Sequence, residues 1–180
     1  KGVDRLEGKT YSVVPDQITA GTYMIAAAAT CGNVLVKNVI PEHLDAISSK
    51  LREMGHTIIE YSDSVRVIGH SPMGPISIKT MPHPGFPTDL QQPMGVLMCL
   101  AKGKSSITEK IFENRFRYVN ELIKMGADIT VNGNVATFNG VDKLYAAKIR
   151  ATDLRAGAAM IVAGLVADGT TEVYELKHID

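Results

Sequence analysis

Apolar positions along this chain alternate between two kinds of run. Residues 18–31 hold Tyr23-Met24-Ile25-Ala26-Ala27-Ala28-Ala29, apolar on nearly every side. That pattern predicts a central helix, with Gly32 where a left-handed cap usually sits. Residues 42–54 differ. Leu44, Ile47, Leu51 and Met54 share one stripe, while Glu42, Lys50, Arg52 and Glu53 lie off it. This predicts an amphipathic helix with one wet face, closed by Gly55. Strands surround the two. Tyr11-Ser12-Val13-Val14 reads as one, stopped by Pro15-Asp16, and Val34-Leu35-Val36 as another. Thr57-Ile58-Ile59-Glu60-Tyr61 and Val65-Arg66-Val67-Ile68 read as a hairpin around Ser62-Asp63-Ser64.

The pattern then repeats. Ile76-Ser77-Ile78-Lys79 is strand-like, and 90–101 is an apolar helix stopped near Gly103. Ser105-Ser106-Ile107-Thr108 is strand-like, 115–125 is amphipathic, and Gly126 closes it. Ile129-Thr130-Val131 and Val135-Ala136-Thr137-Phe138 flank Asn132-Gly133-Asn134, a strong tight-turn signal. Gly32 and Gly103, Ile40 and Ile111, Glu42 and Glu113, Leu51 and Leu122, Gly55 and Gly126, and Gly69 and Gly140 are each 71 positions apart. A period of this size marks a supersecondary unit, β-α-β-α-β-β. A third unit opens with 146–151, continues with a helix over 154–167, and adds Thr171-Glu172-Val173-Tyr174. Asp153 precedes Gly169 by 16 positions, as Asp16 precedes Gly32.

The expected fold is an α/β domain of pseudo-threefold β-α-β-α-β-β repeats, with apolar helices inside, sheets outside and the third unit incomplete. Unit 1 covers 11–69, unit 2 covers 76–140 and the partial unit 3 covers 146–180. Residues 1–10 read as a connector from an upstream domain.

Composition removes several function classes. The 180 residues carry 19 basic and 19 acidic side chains, a formal net charge of zero. That gives no electrostatic case for nucleic acid or an anionic membrane as partner. No apolar stretch reaches membrane-span length. The five histidines (43, 56, 70, 83, 178) show no ligand spacing, so no metal is expected. Cys31 and Cys99 lie in apolar helical runs and read as buried free thiols, against a disulfide or a reactive thiol. Gly69, Gly74, Gly133 and Gly140 read as turn glycines without nucleotide-loop spacing.

Candidate chemistry collects at helix starts. Asp16, Asp89 and Asp153 each stand at one, where an Asp caps free backbone N–H groups. Asp89 differs in its approach, Pro82-His83-Pro84-Gly85-Phe86-Pro87-Thr88, which is longer and stiffer than the others. A carboxylate held there could accept a hydrogen bond or a proton from a substrate hydroxyl. Arg115 and Arg155 also read as first-turn residues. A cation there opposes the helix dipole, so either an anion is shared with free N–H groups or each Arg pairs with an acid such as Glu113 or Asp153.

Four stretches carry a family resemblance: Pro82 through Asp89, Ile111-Phe112-Glu113-Asn114-Arg115-Phe116, Ala151-Thr152-Asp153-Leu154-Arg155-Ala156, and His178-Ile179-Asp180. They resemble the enolpyruvyl transferases, most closely the UDP-N-acetylglucosamine 1-carboxyvinyltransferases of peptidoglycan precursor synthesis, in their C-terminal part. The resemblance implies transfer of the enolpyruvyl group of phosphoenolpyruvate to the sugar 3-hydroxyl, with release of phosphate. It implies a cytoplasmic enzyme with small-molecule partners, no cofactor, and an N-terminal domain outside this chain. It also implies roles. Asp89 is the carboxylate at the 3-hydroxyl, a general base. Ile111 and Phe112 line the nucleotide-sugar pocket, Ile111 through its backbone. Arg115 holds the phosphoenolpyruvate anion, and Asp153 and Arg155 serve closure and anion positioning. The family's catalytic cysteine matches neither Cys31 nor Cys99, so the 180 residues alone are expected to be inactive. The alternatives are an enolpyruvylshikimate-phosphate synthase-like transferase and a non-catalytic repeat domain.

Overall fold

A computed structural model describes residues 2–178, so Ile179 and Asp180 of the last motif lie outside the described residues. Three helices form the centre: α1 (Gln17–Ala29), α3 (Gln91–Leu100) and α5 (Leu154–Val166). They pack on one another, α3 most closely on α5. Two amphipathic helices, α2 (Asp45–Glu53) and α4 (Val119–Lys124), lie outside them. Strands β1 (Asn33–Lys37), β3 (Ser64–Ile68) and β2 (Thr57–Glu60) pair in that order as an antiparallel sheet. In the second sheet β4 (Ser77–Lys79) runs parallel to β5 (Lys104–Thr108). Beyond it lie β7 (Val135–Asn139) and β6 (Asp128–Asn132), both antiparallel to their neighbours. Strands β8 (Lys148–Arg150) and β9 (Glu172–Tyr174) form a parallel pair.

Element boundaries follow the spacing of the sequence. β1 starts at 33 and β5 at 104, β2 at 57 and β6 at 128, β3 at 64 and β7 at 135; each difference is 71. β7 turns back from β6 through Gly133, whose φ of 57° lies in the left-handed region that favours glycine. The apolar runs bury as expected for α3, where Met94, Val96, Leu97 and Met98 are wholly inaccessible. Around it the core closes with Met24, Ile25, Phe138 and Met160. Truncating one such side chain to Ala costs about 2–5 kcal/mol.

Several expectations are corrected. Residues Tyr11 to Val14 form no strand; they are irregular and exposed. An apolar run becomes a strand only when it takes up ladder hydrogen bonds, and 11–14 joins no sheet: β1 pairs with β3 alone and its other edge stays open. The helix expected from 115 begins at Val119, because 113–118 are turns and Asn114 takes φ 55°. α5 is not apolar inside a closed core, since Leu154, Ile161 and Leu165 are exposed. Among the described residues nothing covers that face as β5 and β7 of the second sheet cover α3.

Cys31 is exposed, not buried. It stands just past α1 with φ 52°, so the left-handed residue is Cys31 and not Gly32. Cys99 is buried, and burial pushes its thiol up to about 12. Gly69 and Gly140 are not turn glycines. A Cβ on Gly69 would meet Ala27 O and Ala28 O at 2.8 Å, and one on Gly140 would run into Ala101 O. Each lets the chain leaving a hairpin cross the C-terminal end of a central helix, with Gly69 N–H donating to Gly32 O and Gly140 N–H to Gly103 O. Among the described residues no helix is long and apolar enough to cross a membrane.

Candidate functional site

The three central helices start at one rim, and the sequence sets each start differently. Asp16 caps α1, accepting from Ile18 N–H at 2.9 Å and from the Thr19 N–H and hydroxyl. Asp153 caps α5, its Oδ1 accepting from Arg155 N–H at 3.0 Å and Ala156 N–H at 2.9 Å. Asp89 caps nothing. The position 71 after Asp16 is Pro87, which heads a short 3-10 turn (Thr88–Leu90) with no side-chain cap. Asp89 lies two residues further on, its carboxylate released from the helix end.

That carboxylate instead sits between two guanidiniums. Arg115 Nη2 donates to Asp89 Oδ1 at 2.5 Å, and Arg155 Nε lies 3.3 Å from Asp89 Oδ2. All three side chains are partly buried. Helix-end anion sharing is thereby overturned for both arginines. Arg115 lies in a turn ahead of α4, and the N–H groups at the start of α5 already bond Asp153. Neither Glu113 nor Asp153 is the partner acid; Asp89 is. Arg115 also lies over the Phe112 ring, 5.2 Å from its centroid, a cation–π contact. Arg155 is near enough to lower the Asp16 carboxyl slightly. The main cause of that lowering is the Thr19 hydroxyl, which outweighs burial.

The loop before Asp89 explains the open space beside it. Eight residues, 80–87, separate β4 from the Thr88 turn, whereas three, 151–153, separate β8 from α5. The longer loop folds back through Met81 N–H to Phe86 O and Gly85 N–H to Pro82 O. It walls a cleft of about 350 Å³ that Asp89, Ile111, His83, Glu42 and Gln17 also line. A second, open cleft of about 870 Å³ is lined by Ile111, Phe112, Arg115, Arg117 and Asn134. Ile111 is the wall between the two. Its N–H points inward and donates to Glu109 Oε1 at 2.7 Å. Asp89, Ile111, Phe112, Arg115, Asp153 and Arg155 therefore converge on one end of the molecule. Among the described residues, no cluster of three or more His, Cys, Asp or Glu is placed to hold a metal.

Sequence reasoning missed Glu109. It is 3% exposed and bonds Thr80, Thr88, Gln91, Ile111 and Phe112. Burial pushes its carboxyl up, but the Ile111 N–H, the Thr80 and Thr88 hydroxyls and the Phe112 N–H together hold it below the usual range. A signal did exist. Ser105 and Ile107 face inward along β5, and continuing that alternation puts an acid at 109 on the buried side.

Comparison with known proteins bears on the family and the fold. A family model described as EPSP synthase (3-phosphoshikimate 1-carboxyvinyltransferase) matches residues 1–180. A Caldanaerobacter subterraneus subsp. tengcongensis protein named UDP-N-acetylglucosamine 1-carboxyvinyltransferase 3 is 58% identical over 99% of this chain, which is 43% of that relative. A Clostridium botulinum UDP-N-acetylglucosamine 1-carboxyvinyltransferase is 56% identical over the same shares. The chain thus spans less than half the length of these relatives. Among solved structures, the enolpyruvyl transferase NikO from Streptomyces tendae aligns with a TM-score of 0.84 at 25% identity, over 93% of this chain and 40% of that one. EPSP synthase from Acinetobacter baumannii aligns with a TM-score of 0.69 at 18% identity, over 92% of this chain and 40% of that one, a likeness of fold alone. With its whole length matched, this chain belongs to the EPSP synthase family.

Proposed function

We propose that this chain supplies one wall of an enolpyruvyl-transfer site that takes UDP-N-acetylglucosamine as acceptor and phosphoenolpyruvate as donor. The observation that carries the reading is the Asp89 carboxylate held between the guanidiniums of Arg115 and Arg155, beside two clefts. In the transfer, the sugar 3-oxygen bonds C2 of phosphoenolpyruvate, the bond from C2 to the phosphate oxygen breaks, and the hydroxyl proton must be accepted. Asp89 takes that proton. Each of its oxygens is engaged by one guanidinium, which leaves lone pairs for the hydroxyl. Arg115 and Arg155 hold the carboxylate and phosphate of the donor, a task for which the planar guanidinium is suited. Ile111 offers its carbonyl and Phe112 its exposed ring to the nucleotide sugar. Asp153 keeps Arg155 in place by capping the turn that carries it. This chemistry belongs in the cytoplasm, and the remaining wall belongs to a domain outside this chain.

Four relatives at 52–58% identity bear the name of the nucleotide-sugar enzyme, which favours that acceptor over shikimate 3-phosphate. The test is saturation-transfer NMR on this chain with each acceptor in turn. Contacts from UDP-N-acetylglucosamine that vanish in Asp89→Ala are expected. Contacts from shikimate 3-phosphate alone, or contacts unaffected by Asp89→Ala, would refute the assignment. No carboxyvinyl transfer is expected from the 180 residues alone.

A further inference from the structure

We infer that Glu109 is a positioning residue, a single buried carboxylate that locks the Asp89 segment to the Ile111–Phe112 segment and so sets where Asp89 and Arg115 meet. The inference rests on the reading of those two as site residues and adds the part that aligns them.

The geometry is specific. Glu109 Oε1 accepts from Thr80 Oγ1 at 2.7 Å, Ile111 N–H at 2.7 Å and Phe112 N–H at 3.2 Å. Its Oε2 accepts from Thr88 Oγ1 at 2.8 Å and Gln91 Nε2 at 3.3 Å. Thr88 is bonded directly to Asp89 in the chain. Phe112 carries the ring under Arg115. Both halves of the Asp89–Arg115 pair are thus tied to one group behind them. The tie is itself anchored. Glu109 N–H donates to Asn134 O at 2.8 Å, Asn134 Nδ2 returns to Glu109 O at 3.0 Å, and Lys110 N–H donates to Thr80 Oγ1 at 2.8 Å.

Residue type supports the same conclusion. All five partners of the carboxylate are donors, and only an ionised acid accepts from all of them. A Gln would turn an NH₂ toward two donors. No cation pairs with Glu109 among the described residues, so the charge is buried on hydrogen bonds alone. Burying an unpaired charge is a poor way to gain stability compared with an apolar residue. What the arrangement gives instead is a fixed relation between three segments: 80, 88–91 and 111–112.

The test uses amide and guanidinium hydrogen exchange, followed by NMR on the whole 180-residue chain without ligand. In Glu109→Gln, exchange at Ile111 N–H, Phe112 N–H and Arg115 Nε–H is expected to rise roughly tenfold, while Ile107 and Phe138 in the adjoining sheet stay within about twofold. Thr88→Val keeps shape and removes one donor. It is expected to speed Arg115 Nε–H by roughly threefold and to leave Ile111 N–H within about twofold. Unchanged exchange at Ile111, Phe112 and Arg115 in Glu109→Gln would overturn the inference, as would an equal rise at Ile107 and Phe138, which marks general loosening. If Glu109→Gln does not fold, an unmoved Arg115 in Thr88→Val overturns it. No substrate enters this test. Its failure removes the role of Glu109 and leaves Asp89 and Arg115 as read above, while a failed saturation-transfer test removes that reading and leaves the measured coupling standing.

Discussion

Asp16 and Asp153 on one side, and Asp89 on the other, show how acids at the starts of repeated helices come to two kinds of chemistry. The first two cap their helices and are spent on backbone N–H groups. Asp89 comes two residues past the capping position, which Pro87 fills, and it points at guanidiniums instead. Proline keeps a start that needs no N–H donor there, with backbone angles of −71° and 135° close to the −75° and 110° of Asp16. The repeat supplies the scaffold, and a displacement of two residues with a five-residue longer approach (eight against three) turns a structural acid into a candidate reactive one.

The largest effect that tests this contrast is on turnover. In a complete enzyme carrying this segment, Asp89→Asn should lower carboxyvinyl transfer by about 100-fold or more without unfolding, as expected for loss of a general base. Asp16→Asn should leave transfer nearly intact. Equal losses from both would erase the distinction. Stability separates them next. Asp153→Ala and Asp16→Ala should each cost about 1 kcal/mol in urea unfolding, little changed by salt, because a hydrogen-bonded cap is lost. Asp89→Ala leaves two guanidiniums without the carboxylate between them, so its cost should shrink as salt is raised and screens them. A salt-independent cost for Asp89→Ala would mean that it acts as a cap after all.

A smaller effect tests the capping position directly. Pro87→Asp restores an acid where Asp16 and Asp153 have one. It gains a cap of about 1 kcal/mol and loses proline stiffness of about 0.4–1 kcal/mol, so the net change should stay under about 1 kcal/mol. The smallest effect is in acid. Asp16 and Glu109 have carboxyls lowered from 3.8 and 4.5 in the folded protein. Each contributes stability that is fully present above those unfolded values and is lost as pH falls through the lower folded ones. Asp16→Asn and Glu109→Gln should therefore flatten the acid limb of a stability–pH curve below about pH 4.5. A limb as steep as that of the unaltered protein would contradict the hydrogen bonds assigned to them.

The parts of this molecule that could be read in advance are those with a period. The 71-residue offset marks the strand starts, since glycines and apolar stripes recur with the elements they bound. Asp89, Arg115, Asp153 and Arg155 stand out as charges at expected helix starts, Ile111 and Phe112 only through the family resemblance, and all six lie at one end of the molecule. What stayed hidden depends on partners that no local pattern names. Tyr11 to Val14 reads like a strand but pairs with none, although β1 keeps one edge open. Cys31 sits in an apolar run and yet lies past the helix end, where φ turns positive. The arginines invited a helix-dipole argument, and the acid that holds them is 26 residues from Arg115 and 66 from Arg155 along the chain. Glu109 lies in Ser-Ile-Thr-Glu-Lys, which resembles any polar strand end until Thr88 and Ile111 are seen closing on it.

The most direct measurement of the central claim is an NMR titration of this chain with phosphoenolpyruvate, following the Nε–H signals of Arg115 and Arg155 and the side-chain carboxyl of Asp89. The account predicts saturable shifts at all three, lost in Asp89→Ala or Arg115→Ala, with Asp16 and Asp153 unmoved. Shifts confined to surface lysines, or no saturable shift at Asp89, Arg115 and Arg155, would contradict it.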